Sequence, residues 1–140
     1  MKEKTLLIDT SALISLIQRK INVKGHAILD LTLYELGNVL RKEVMIYKTI
    51  TKEELDKLLK SLEIILSQMR IIRISHNNLK EICEIAIKNS LTFYDAAYIF
   101  YAKKENLILV TDDEALYKIA KKYVKTLRSD EIKENLEVGN

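Results

Sequence analysis

Apolar residues recur along this chain in two rhythms: short unbroken runs, and stripes spaced as on one face of a helix. Residues 6–8 form such a run, which Asp9 ends. Residues 10–20 read as a helix with Leu13, Ile14, Leu16 and Ile17 inward. A loop with Asn22 and Gly25 leads to a second short strand at 27–29. Leu33, Leu36, Leu40 and Val44 share one helical stripe. Leu55, Leu58, Leu59, Leu62, Ile65, Leu66 and Met69 give the cleanest stripe, a helix of roughly five turns. Residues 71–74 predict a strand; Leu79, Ile82, Cys83, Ala86 and Ile87 predict a helix with Cys83 in its buried packing. Residues 93–104 are helical and apolar almost all round, which places them deep in a core. Residues 107–110 are the best strand; Ala115, Leu116, Ile119, Ala120 and Tyr123 follow as a helix. Residues 124–127 are a short last strand, and the acidic tail from Ser129 forms a final turn or helix. Strands alternating with helices predict one α/β domain with a mostly parallel sheet. Such a sheet binds ligands at the carboxyl ends of its strands, near the point where strand order reverses.

Composition narrows the classes. The 140 residues fit one domain over the whole chain, and 48% hydrophobic with 31% charged residues is a globular balance. The net charge of +3 and a pI near 8.8 permit a nucleic-acid partner without demanding one. The longest apolar run, 96–102, is far short of a membrane span. The start MKEKTLLIDTS does not read as a secretory signal, and one cysteine excludes an internal disulfide or a Cys-rich zinc site. The expected compartment is the cytosol. Three glycines leave no glycine-rich phosphate loop, and His26 and His76 have neither a G-x-S-x-G nor a ligand-like neighbour.

The candidate chemistry lies in acids at strand ends. Asp9 follows the first strand directly, and Asp112 and Asp113 follow Thr111 at the end of the best one. Glu35 and Asp95 each sit near a helix start, in Thr32-Leu33-Tyr34-Glu35 and Thr92-Phe93-Tyr94-Asp95. Helices of α/β units begin at the same edge, so these acids can share one site. Each also has a plain structural reading. Thr32-x-x-Glu35 and Thr92-x-x-Asp95 match capping boxes, as Thr51-x-x-Glu54 does, and Asp9, Asp112 and Asp113 suit helix caps. Asp95 is harder to dismiss, because it interrupts an apolar helix, where a lone carboxylate is costly. Carboxylates brought together raise one another's pKa, and a cation makes the cluster tolerable. Oxygen ligands without useful His or Cys select Mg²⁺ or Mn²⁺, which suits phosphodiester hydrolysis by in-line attack.

The chain resembles the PIN-domain ribonucleases, and among them the VapC-type toxins of toxin–antitoxin pairs. Four stretches carry the resemblance in order: IDTSAL with Asp9, LTLYELGNVL with Glu35, LTFYDAAYIFYAKKENLILVTDD with Asp95, and its T-x-D ending with Thr111 and Asp113. It runs from Leu6 to Leu127. It implies a three-layer α/β/α sandwich with a mostly parallel sheet, usually dimeric, that cuts RNA with Mg²⁺ or Mn²⁺. Asp9, Glu35, Asp95 and Asp113 match the family's metal-binding acids. Ser11 and Thr111 match its supporting hydroxyls, Thr92 precedes Asp95 as in the family motif, and Asp112 could substitute for or assist Asp113. The resemblance also implies a homodimer and an antitoxin protein partner that enters the active-site groove. The Leu-rich hairpin around 55–69 matches a region used for such contacts, with ordinary core packing as its plain reading. The five arginines among 23 basic residues depart from expectation and leave phosphate clamping mostly to lysine.

Lys103, Lys104, Lys118, Lys121, Lys122, Lys125 and Arg128 read either as an RNA track or as solvated helix faces. Tyr34 and Tyr94 are candidates for stacking on bases, whereas core packing suits Tyr98 and Tyr101 better. The alternative functions are a catalytically silent member of the fold that binds RNA or protein, and a nuclease of RNA maturation without an antitoxin. A haloacid-dehalogenase phosphatase would need a second acid at Ser11, and a receiver domain would need its acid pair early in the chain.

Overall fold

The computed structural model describes residues 4–133, so most of the acidic tail expected after Ser129 lies outside the described residues. The chain runs β1 (Leu6–Ile8), α1 (Thr10–Gln18), β2 (Ala27–Leu29), α2 (Leu31–Met45), α3 (Lys52–Ser67), β3 (Arg70–Ile72), α4 (Leu79–Asn89), α5 (Phe93–Lys104), β4 (Ile108–Val110), α6 (Glu114–Ala120) and β5 (Thr126–Leu127). Single 3-10 turns stand at His76–Asn78 and Ser129–Glu131. The five strands form one sheet in the order β3-β2-β1-β4-β5, and every pairing is parallel. The chain steps outward from β1 to β3, then returns to the other side of β1. Strand order therefore reverses between β1 and β4, and the carboxyl ends of those two strands flank the crevice.

Alternation along the strands builds two cores. Leu7, Leu29 and Leu109 point to one face, where α4, α5 and α6 bury Ile82, Ala96, Ile99 and Leu116 against them. Leu6, Ile8, Ile28 and Val110 point to the other, against Leu13 and Leu16 of α1 and Leu36 of α2. Each fully buried leucine or isoleucine contributes about 1.5–3 kcal/mol. The result is the expected three-layer α/β/α sandwich. Buried backbone ends are also tied. His26 Nδ1 accepts from Leu6 N–H at 3.0 Å, which is its role in place of metal ligation. Arg19 donates to the Ser129 and Ile132 carbonyls and holds the C-terminal turn on α1.

Several expected boundaries move. The third strand is Arg70–Ile72 instead of 71–74, and the last is reduced to Thr126–Leu127. Helix α3 stops at Ser67, so Met69 packs beneath the sheet as part of the chain entering β3. Cys83 is exposed and not buried. The inner face of α4 is set by Ile82 and Ala86, and a 100° step per residue turns Leu79, Cys83 and Ile87 outward. The α2–α3 hairpin forms, but only Leu62 of α3 is buried. Leu58, Leu59 and Ile64 remain exposed, as do Met45, Ile46 and Tyr47 at the hairpin end.

Candidate active site

Asp9 leaves β1 at the crevice and caps α1, its Oδ1 accepting from Ala12 N–H at 2.9 Å. Capping and burial coexist: Asp9 is only 6% exposed. The Ser11 hydroxyl touches the same oxygen at a long 3.4 Å. Across the crevice, the buried Thr111 hydroxyl lies beside Asp9 and favours its charged form, and it accepts from Asp113 N–H at 3.1 Å. Asp113 is exposed and caps α6 through Leu116 N–H at 2.8 Å. Asp112 behaves differently. One of its oxygens accepts from Ser129 N–H at 2.8 Å and the other from Ser129 Oγ at 2.6 Å. It therefore anchors the C-terminal turn.

The capping reading of Glu35 is wrong. Helix α2 begins two residues earlier, after Asp30, so Thr32 lies inside it and is fully buried. Glu35 Oε1 instead accepts from Thr10 Oγ1 at 2.6 Å and from Tyr98 OH at 3.3 Å. Thr32 Oγ1 stands 2.9 Å from the same phenol and 3.2 Å from Thr10 Oγ1. These hydroxyls aim Glu35 at the crevice. Sequence reasoning missed this function of Thr10 and Tyr98, whose separation of 88 residues hides the contact. It also passed over Asp30, which ends β2 as Asp9 ends β1. Asp30 accepts from Ile74 N–H at 3.4 Å, a tie between loops.

Thr92 caps α5 by accepting from Asp95 N–H at 3.1 Å. The two-way box that Thr51 and Glu54 complete is absent here among the described bonds. Asp95 is half-buried beside Asp113 and Glu35, and burial first, then those two charges, raise its carboxyl pKa. Asp9 is pushed up to about 6, chiefly by burial and further by Asp112 and Asp95, against the pull of Thr111 and Ala12. The structure thus brings Asp9, Glu35, Asp95 and Asp113 to one edge, with Asp95 at its centre, within range of the charges of the other three. Among the described residues, no three His, Cys, Asp or Glu side chains converge tightly enough to form a ready-made ligand set. Neither does any described lysine or arginine pair with the four acids. Desolvated oxygen donors without a basic partner fit a hard divalent cation that draws them together.

This electrostatic strain has a pH signature. The Asp9 carboxyl is raised from 3.8 to about 6, so its contribution to stability is full below pH 3.8 and is lost as pH rises through about 6. Two pKa units correspond to about 3 kcal/mol. Urea unfolding of the metal-free protein, compared with Asp9→Asn, should show wild type losing that much relative stability between pH 4 and 7. Excess Mg²⁺ at pH 7 should restore most of it. A pH-independent difference would contradict the burial of this charge.

The basic cluster of the C-terminal third divides. Lys103 and Lys104 lie at the far end of α5, about 12 Å along the helix from Asp95. Arg128 pairs with Glu114 and lies over the Tyr117 ring at 3.9 Å, with Lys121 at 4.9 Å from that ring. Lys118 and Arg128 pair with Glu114, the residue that follows Asp113.

The residues 6–122 match the PIN domain family model, which takes in all four acids. The chain belongs to the PIN domain family. It is 34% identical over 117 residues to the protein named Exonuclease VapC9 of Pyrobaculum aerophilum, covering 79% of this chain and 81% of that protein. The crystal structure of PAE2754 from Pyrobaculum aerophilum matches with a TM-score of 0.74 at 32% identity, over 91% of this chain and 85% of that one. FitAcB from Neisseria gonorrhoeae shares the fold, with a TM-score of 0.64 at 17% identity, over 91% and 100% of the two chains. A toxin–antitoxin complex from Klebsiella pneumoniae shares it too, with a TM-score of 0.56 at 20% identity, over 78% and 87%. The PIN sandwich is the fold expected from the sequence. No helix among the described residues is long and apolar enough to cross a membrane.

Proposed function

We propose that this PIN protein is a Mg²⁺- or Mn²⁺-dependent endoribonuclease, the toxin of a VapBC-type pair. The observation that carries the reading is the carboxylate edge at the β1/β4 crevice, where a buried Asp9 has acids for neighbours and no described basic partner. Asp9, Asp95 and Asp113 would hold the cation, with Glu35 completing the set. A bound divalent ion supplies charge neutralisation and activation of water for in-line attack on a phosphodiester. Thr111 fixes Asp9 and the entry to α6, and Thr92 fixes the first turn of α5. Thr10 and Tyr98 hold Glu35, whose carboxylate orients the attacking water. Asp113 and Asp95 are open to solvent on one side, so an RNA strand can lie across them. A silent binding module would gain nothing from a repulsive acid cluster.

The same reading includes an antitoxin partner and a homodimer. The Klebsiella pneumoniae structure that shares the fold is a toxin–antitoxin complex, and the α2–α3 hairpin leaves Met45, Leu58, Leu59 and Ile64 uncovered. Cytoplasmic action follows from the RNA substrate.

The name of the Pyrobaculum relative raises attack from a chain end as the competing mode. A circular single-stranded RNA, which has no end, separates the two. Endonucleolytic action linearises it in Mn²⁺ and leaves it intact in EDTA. An enzyme that degrades the linear RNA and spares the circle is an exonuclease.

A further inference from the structure

Two tyrosines stand out on the acidic edge. Tyr34 is 79% exposed and Tyr94 59% exposed, each one residue before a site acid, Glu35 and Asp95. The other two tyrosines of these motifs behave oppositely: Tyr98 and Tyr101 are buried, with hydroxyls bonded to Thr32 and Asn78. A single exposed aromatic needs no explanation. Here, however, both line one shallow cavity of about 290 Å³ with Leu31, Glu35 and Asn38. Leu31 is half-buried and gives it an apolar wall. The Asn38 carbonyl accepts from Arg41 Nε at 3.2 Å, which leaves its amide N–H groups as donors. Glu35 belongs to both cavity and carboxylate edge. A flat, partly apolar group with polar edges fits this lining, and whatever occupies it lies beside the acids.

We propose that this cavity takes one unpaired nucleobase of single-stranded RNA, stacked on Tyr34 and Tyr94, so that an adjoining phosphate reaches the carboxylate edge. The inference rests on the ribonuclease reading and deepens it by naming the substrate form. Aromatic rings accept any base face, and Asn38 offers donors to acceptors on a base edge, such as purine N7 or a carbonyl oxygen. A base in a duplex is already stacked and must first leave the helix, so the cavity selects against paired RNA.

The test uses an Asp95→Asn background, in which cleavage is blocked, and a single-stranded oligoribonucleotide carrying 2-aminopurine. Binding should quench the 2-aminopurine fluorescence. Adding Tyr34→Ala or Tyr94→Ala should weaken binding about 10- to 100-fold and remove the quench, from the known strength of base–aromatic stacking. Tyr34→Phe and Tyr94→Phe should keep both, since the ring remains. Affinity for a blunt RNA duplex should not change. Circular dichroism shows whether the variants fold. Unchanged single-strand affinity in the folded alanine variants would overturn the inference and leave the cavity to a side chain of a protein partner. Equal losses for duplex and single strand, or failure of the phenylalanine variants, would overturn it as well. Failure of the starting protein to bind RNA would remove the inference; wild-type cleavage then tells whether the ribonuclease reading falls with it.

Discussion

Asp95→Asn should reduce RNA cleavage about 10³-fold, the scale of several kcal/mol of cation-borne charge stabilisation. It should do so without loosening the fold. Asp95 caps nothing with its carboxylate, and its backbone N–H, which Thr92 accepts, survives the substitution. Removing the charge also relieves its repulsion with Asp113 and Glu35. The metal-free variant should therefore melt no lower than wild type, and the stabilisation wild type gains from Mn²⁺ should largely disappear. Thermal unfolding with and without Mn²⁺, run beside cleavage, checks both parts. Lost activity accompanied by a clear fall in metal-free melting temperature would mean that Asp95 serves folding instead.

Thr10→Val should cost about 10- to 100-fold in kcat/KM, the usual effect of removing a hydrogen bond that orients a metal-binding group. Valine keeps the shape and removes the hydroxyl that reaches Glu35 at 2.6 Å. Tyr98→Phe should act in the same direction and more weakly, since its bond to Glu35 is 3.3 Å long. In both variants the Mn²⁺ concentration for half-maximal activity should rise, because a loosened Glu35 completes the ligand set less well. Thr10→Ser should restore both values. A Thr10→Val enzyme with unchanged metal dependence would show that Glu35 needs no such support.

The parts legible in the sequence were those with a strong local cause. An apolar run ending in an acid places Asp9 and the Thr111–Asp113 turn at the carboxyl edge. Helix α5 occupies 93–104 as expected because Thr92 caps it and its apolar residues extend round every face. Less legible features depend on partners distant in sequence. β3 is an edge strand, so Arg70 and Ile71 are exposed and only pairing with β2 fixes its limits. Helix α2 starts at Leu31, with Asp30 at the N-cap position in place of Thr32, whose hydroxyl is bonded to Tyr98, 66 residues away. Cys83 shares an apolar stripe on paper, yet α5 packs on the neighbouring face of α4. Asp112 and Asp113 look interchangeable until Ser129 claims both oxygens of the first.

The most direct measurement is cleavage of end-labelled single-stranded RNAs by pure wild type and folded Asp95→Asn, each with Mg²⁺, Mn²⁺ or EDTA. Cleavage by wild type only in the presence of the ion, with about 10³-fold less from Asp95→Asn, is the expected result. Equal cleavage by the two proteins, or cleavage that persists in EDTA, would contradict the assignment of the carboxylate edge as a metal-dependent ribonuclease site.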